Sequence, residues 1–379
     1  MQKNLNIKYS KLSTPIISKG RLFYEKKSFL RSPYQRDRDR IIHSTSFRRL
    51  KHKTQVFVNT ADDHYRTRIT HSLEVAQISR TLAKIFGVNE DLCETLSLAH
   101  DLGHTPFGHA GEDSLNECMF NYGGFDHNIQ TLRIVTLLEK KYYNFLGLNL
   151  TIETLDGLIK HNGPVHNLHK YNSILGRNFH KNKIKFKQQA SLEAQISSIS
   201  DDIAYNSHDL EDGLKANLFK LEELNSIPVL SEIIYQHKKK LKKFKKELVL
   251  RQIIRDIINE MVKDVIQNTK KNIKKENIHK LKDIQNNKYP VVFFSKKMRD
   301  FDLSIKEFLR AKMYYSKKVL KRTKKGKIII KKLFSLVKKN PSKFINKNVL
   351  KSVSKERAVC DFIAGMTDRY AIRIYNSKK

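Results

Sequence analysis

LSLAHDLGHTPFGHAGED occupies residues 96–113 of a 379-residue chain. Residues 90–102 have helical spacing and Gly103 stops them. Pro106 suits the first turn of a second helix. The stretch therefore reads as helix, turn, helix. His100, Asp101, His104, His109 and Glu112 fall within thirteen residues of it. A solvated polar loop would also carry such residues, so the chemistry rests on what they can do together. Adjacent side chains on a helix diverge by about 100°. At a helix end, His100 and Asp101 can still converge on one ion. His109 and Glu112 are three apart and can hydrogen-bond on one helical face. A carboxylate on one imidazole nitrogen fixes the tautomer and raises the basicity of the other. That pair makes a general acid or base.

Outward from this stretch the helical period continues. Residues 36–50 (RDRDRIIHSTSFRRL) read as a helix burying Ile41, Ile42 and Phe47. Residues 53–60 (KTQVFVNT) read as a short extended piece. Residues 69–86 (ITHSLEVAQISRTLAKIF) form a helix stopped near Gly87. Further helices are expected over 127–140, 190–215 and 355–375, with long Lys-rich ones over 228–276. A loop covers about 162–189, and PVVFFS (290–295) is a candidate strand. The expected class is all-α, with at most a few short strands. A core over 31–215 is expected, with a Lys-rich helical region over 216–379 packing on it.

Hydrophobic residues make up 39% of the chain, enough for a real core. No apolar run approaches the roughly 18 residues that span a bilayer, so no membrane partner is expected. The N-terminal stretch has no apolar h-region, so no signal peptide is expected. Cys93, Cys118 and Cys360 are far apart, which points to a reducing cytoplasm and excludes a disulfide framework. The net charge of +36 is uneven. Residues 1–213 hold 29 basic and 23 acidic residues, and residues 214–379 hold 45 and 15. A field that positive attracts polyanions, nucleic acid among them. A general lysine bias would give the same count.

A divalent metal wants more than two protein ligands. His71, near the start of its helix, and Asp201, in SISDDIAYNSHDLED, are the further candidates. Two imidazoles and two carboxylates suit Mn, Fe, Ni or Zn, and Mg less well. Open positions on the ion could hold water and a phosphate oxygen, the arrangement for hydrolysis.

The spaced pattern H…HD…D resembles the HD-domain metal-dependent phosphohydrolases. Longer strings are more specific: RSPYQRDRDRIIHSTSFRRLKHKTQVF, RTRITHSLEVAQISR, LAHDLGHTPFGHAGED, GGFDHNIQTLRI and ISSISDDIAYNSHDLEDG. In this order they resemble the deoxyguanosinetriphosphate triphosphohydrolase-like branch. The likeness covers roughly residues 31–215, resumes at FIAGMTDRYAI (362–372) and is weaker at KEFLRAKMYYSKKVLKR (306–322).

The resemblance implies His71, His100, Asp101 and Asp201 as metal ligands. It implies catalytic roles for His109 with Glu112, and places His104 and His127 around the triphosphate. Arg68 would contact the phosphates, and Gly103, Gly108 and Gly111 would let backbone and phosphate approach closely. Gln55 and Asp209 would meet the sugar 3′-hydroxyl, and Tyr205 would stack under the sugar and exclude a 2′-hydroxyl. His161 and His208 read as structural. The implied reaction is hydrolysis of a deoxynucleoside triphosphate (dGTP or several dNTPs) to deoxynucleoside and inorganic triphosphate. The family also implies a homo-oligomer, commonly a hexamer. Two rival readings remain: an HD hydrolase of another nucleotide, and a nucleic-acid-binding regulator using the basic C-terminal region.

Overall fold

Ser32 opens the first helix with a reciprocal cap: its hydroxyl takes the Gln35 amide and the Gln35 side chain returns to the Ser32 amide. In this computed structural model, which describes residues 9–55, 65–175 and 184–377, helices follow one another along the chain. The first half contains α1 (Pro33–Ile42), α2 (Thr45–Arg49), α3 (Arg68–Phe86), α4 (Glu90–Ala99), α5 (Gly108–Cys118), α6 (His127–Arg133), α7 (Ile152–Ile159), α8 (His169–Leu175) and α9 (Leu192–Lys215). The second contains α10 (Pro228–Leu241), α11 (Lys246–Lys275), α12 (Leu281–Asn286), α13 (Lys296–Leu309), α14 (Lys317–Lys339), α15 (Lys347–Ser352), α16 (Lys355–Ala364) and α17 (Asp368–Asn376). Among the described residues there is no sheet, only isolated bridges such as Thr54 with Thr67. The all-α expectation holds. No helix among them is long and apolar enough to cross a membrane.

Three apolar clusters hold the helices. One joins α3 and α9 to α10, α11 and α13, through residues such as Val75, Ile203, Ile257 and Ile305. A second packs α1, α4 and α7. A third joins α5 to α14, α16 and α17. The first and third clusters both tie residues beyond 215 to the first half. Each fully buried Leu or Ile contributes about 1.5–3 kcal/mol relative to exposure.

Several local expectations are corrected. The helix over 36–50 breaks at His43, because the Ser44 hydroxyl accepts the Phe47 amide and starts a new helix. Ile42, at the end of α1, is 38% exposed rather than buried. The helix expected over 90–102 ends at Ala99, followed by successive turns. Pro106 precedes α5 instead of lying in its first turn. The helix over 127–140 changes to a π turn at Ile134–Leu138. The loop over 162–189 contains α8. The helix over 355–375 breaks between Ala364 and Asp368. PVVFFS is not a strand: the Val291 and Val292 amides both donate to Gln195 Oε1, at 2.8 and 3.1 Å, while Val291, Val292 and Phe294 fill the first cluster. In the extended piece over 53–60, Thr54 pairs with Thr67. Residues 56–60 lie outside the described residues.

Candidate active site

α3, α4 and α9 pack together and carry His71, His100 and Asp201 to one place. His71 sits in the first turn of α3, and His100 caps the end of α4. One ligand atom from each of these three residues lies within 4.8 Å of the other two. His71 Nε2 is 2.9 Å from Asp201 Oδ1 and His100 Nε2 is 3.6 Å from the same oxygen. Ligands 2.0–2.2 Å from a common ion lie about 3 Å apart at right angles.

The donor chemistry fits a cation. His100 Nδ1 lies 2.7 Å from the Ser97 carbonyl, so it donates there and leaves Nε2 with a free lone pair. That Nε2 is buried and has no hydrogen-bond partner. Burial holds the His100 pKa below its usual value. Asp101 lies beside this group, with Oδ1 3.5 Å from His100 Nε2. Its other oxygen takes the Arg68 guanidinium at 2.8 Å. Burial opposes ionisation of Asp101 and Asp201, yet both pKa values lie well below the carboxylate range. His104, Arg68 and His100 outweigh burial at Asp101, and His100, His161 and His71 do so at Asp201.

Gly103 draws the next group in. A Cβ there would sit 1.9 Å from the His127 carbonyl oxygen, so only glycine lets the end of α4 touch the start of α6. A Cβ at Gly111 would likewise meet the Pro106 carbonyl oxygen. These two glycines serve contacts between backbones, where the sequence suggested approach of phosphate. The result is a second cluster of His104, Glu112 and His127. Glu112 Oε1 accepts from the His127 amide at 3.0 Å and from Nδ1 at 2.8 Å. His109 Nδ1 is 3.3 Å from Glu112 Oε2. Burial works against Glu112, but His109 and His127 hold its pKa far down. Burial also works against a charged His127, but Glu112 raises its pKa. His104 is pushed well down by burial, Arg68 and His127.

On α9, Tyr205 and Asp209 follow Asp201 at helical spacing. Tyr314 reaches both: its hydroxyl bonds to Asp209 Oδ2 and lies 2.7 Å from the Tyr205 hydroxyl. Tyr314 ends a π turn, Arg310–Tyr314, that continues α13. Burial pushes the Asp209 carboxyl up to about 7. The Gln55 carbonyl oxygen and the Arg68 guanidinium both approach Gly108.

The sequence reading passed over four neighbours. His161, read as structural, has Nε2 3.4 Å from Asp201 Oδ2. His208, also read as structural, has Nδ1 3.4 Å from His71 Nδ1, and its Nε2 is 2.8 Å from Glu74. Lys53 is buried and donates to the carbonyls of His104 and Ala364. Tyr314 lay inside the quoted KEFLRAKMYYSKKVLKR string, which was its only signal.

An HD domain model matches residues 68–206, and a phosphohydrolase-associated domain model matches residues 292–377. The chain is 59% identical to a deoxyguanosinetriphosphate triphosphohydrolase-like protein of Pelagibacter ubique (strain HTCC1062), over 94% of this chain and 96% of that one. Proteins of the same description from Bartonella quintana (strain Toulouse) and Rickettsia prowazekii (strain Madrid E) are 47% and 43% identical. Each match covers 96% of this chain, and 93% and 96% of the relatives. Likeness of that extent, running through both halves of the fold, makes this chain a member of the deoxyguanosinetriphosphate triphosphohydrolase-like family of HD-domain phosphohydrolases.

Proposed function

We propose that the chain hydrolyses deoxynucleoside triphosphates to deoxynucleoside and inorganic triphosphate. One observation carries this reading. Buried polar atoms are nearly always hydrogen-bonded. Twelve buried side-chain atoms among the described residues have no partner. Five of these belong to the site: Gln55 Oε1, Arg68 Nε, His100 Nε2, His104 Nδ1 and Asp209 Oδ1. His104 Nδ1 lies 2.9 Å from Asp101 Oδ1 without hydrogen-bond alignment. The acceptor pair of Gln55 and Asp209 suits a sugar hydroxyl, the Arg68 Nε–H suits a phosphate oxygen, and the lone pair on His100 Nε2 suits a cation.

His71, His100, Asp101 and Asp201 would hold a divalent cation. Bound there, it would polarise an α-phosphate oxygen and acidify the attacking water. Arg68, fixed by Asp101, stabilises charge on the phosphates. The His104 and His127 rings lie 3.9 Å apart between centroids, tilted by 34°. Water attacks the α-phosphorus and the bond to the 5′-oxygen breaks. His109 and His127 share the Glu112 carboxylate, so both are oriented to hold or move a proton at this step. Asp209 and Gln55 accept from the 3′-hydroxyl. Tyr205, pinned through Tyr314, fills the space of a 2′-hydroxyl.

The test is product analysis. Each dNTP and GTP is incubated with the metal-loaded protein, and products are separated by ion exchange. Inorganic triphosphate plus deoxynucleoside is the expected result. Monophosphate or diphosphate products, or GTP turnover equal to dGTP, would overturn the reading.

A further inference from the structure

Phe107 sits between His104 and His109 with φ of 63°. The other non-glycine residues with positive φ among the described residues are asparagines, which tolerate that region. A phenylalanine there is an outlier that its surroundings must enforce. Two residues more than two hundred positions downstream do so. The Phe107 amide donates to Asp368 Oδ1 at 3.1 Å. The Phe107 ring belongs to the third cluster and lies against Gly326 of α14. A Cβ at Gly326 would stand 2.9 Å from both Cβ and Cγ of Phe107.

Asp368 does more than hold this amide. Its Oδ2 accepts from the Thr54 amide at 3.2 Å and from the Thr54 hydroxyl. Gln55 is the next residue. One buried carboxylate, 4% exposed, therefore spans the Gln55 segment and the histidine turn. An aspartate in the first turn normally serves its own helix start. Here Thr367 caps α17, accepting the Tyr370 amide, so the Asp368 carboxylate is available to the core. Lys53 repeats the connection, joining the His104 carbonyl to that of Ala364 at 3.0 Å.

We propose that Asp368 and Gly326 are positioning residues of the hydrolytic site. Asp368 sets the spacing between Gln55 and the His104–His109 turn, and Gly326 seats the Phe107 ring that bends this turn. This rests on the reading that His104 and His109 face phosphate and Gln55 faces sugar. The two residues touch neither substrate nor reacting atoms, and a displacement of about 1 Å in the groups they hold is enough to cost about 10²-fold in rate.

The experiment compares wild type with Asp368→Asn, Gly326→Ala and the double variant. Ile257→Ala, a cavity variant in α11, is the control for lost stability alone. Gly326→Ala is expected to lower kcat about 10- to 100-fold at unchanged KM. Asp368→Asn is expected to lower kcat and raise KM, because it holds both parts. The double variant should lose less than the product of the single losses, since both act through one turn. Ile257→Ala should lower Tm and leave kcat unchanged. Values of kcat within twofold of wild type for both variants would overturn the proposal. So would an equal loss of kcat in Ile257→Ala at a matching fall in Tm. If wild type releases no triphosphate, the reading of function fails, and amide hydrogen exchange still decides the clamp. Asp368→Asn should speed exchange at both 53–55 and 104–110, and Gly326→Ala at 104–110 alone. Unchanged exchange would refute the clamp.

Discussion

Glu112 Oε1 lies 2.8 Å from His127 Nδ1, closer than its second oxygen lies to His109. One carboxylate thus orients two imidazoles from different helices. Glu112→Gln should lower kcat by about 10²–10⁴-fold while nucleotide binding persists. Adding His127→Ala should cost little more, because the two act as a unit. The carboxylate raises the His127 pKa, so removing its charge should move the His127 limb of the pH profile to lower pH. A fully multiplicative double variant, or an unmoved limb, would contradict the shared role.

His208 stands behind His71, Nδ1 to Nδ1 at 3.4 Å, and Glu74 holds its far nitrogen. Burial lowers the His208 pKa to about 4, so the ring is neutral at physiological pH. On the proposed ligand set, its place is that of an outer partner of His71. His71→Ala and His100→Ala should each abolish retention of a transition metal after gel filtration, read by elemental analysis. His208→Ala should keep the stoichiometry but weaken affinity about 10- to 100-fold. Equal metal loss in all three variants would make His208 a ligand instead.

The contact of Gly103 with the start of α6 admits a sharper test. Gly103→Ala would force its Cβ onto the His127 carbonyl and within 2.4 Å of the Thr131 amide. It should destabilise the fold by about 1–3 kcal/mol, as overpacking does. It should also abolish turnover by parting His127 from Glu112. Urea unfolding and product analysis check both. A stable, active Gly103→Ala protein would show that α4 and α6 can separate at no cost.

Much of this was legible in sequence because helical spacing is local. The end of α3 follows from Gly87, whose φ of 62° caps the helix, and the His109–Glu112 approach follows from an interval of three residues. His71 and Asp201 stood in the sequence only as candidate ligands, since nothing in local spacing joins them, and it took the packing of α3, α4 and α9 to bring them beside His100. Tyr314 stands 105 positions from Asp209, and no period links them. The clamp at Asp368 was hidden for the same reason, though FIAGMTDRYAI was among the quoted strings. PVVFFS misled because its apolar run is that of a strand, while a single glutamine side chain satisfies two of its amides. The break at His43 turned on one hydroxyl, which competes with helix continuation at a cost too small for apolar periodicity to register.

If Asp209 meets the sugar as proposed, it links stability to recognition with opposite signs. Its carboxyl is 1% exposed, and burial raises its pKa to about 7 against the pull of Tyr314. An unfolded aspartate titrates near about 3.9. The folded chain therefore holds the proton more tightly, and the stability this brings is present below the unfolded value. It is lost as pH rises through about 7. Asp209→Asn removes the buried charge and keeps an acceptor for the Tyr314 hydroxyl. Its Tm should exceed that of wild type at about pH 8, with the gap closing towards about pH 5. Function should move the other way, because the amide is a weaker acceptor for a 3′-hydroxyl than a carboxylate. KM for the deoxynucleotide should rise, while KM for the 2′,3′-dideoxynucleotide should stay constant. A Tm difference independent of pH would contradict the raised pKa. An equal KM change for both nucleotides would remove Asp209 from sugar recognition.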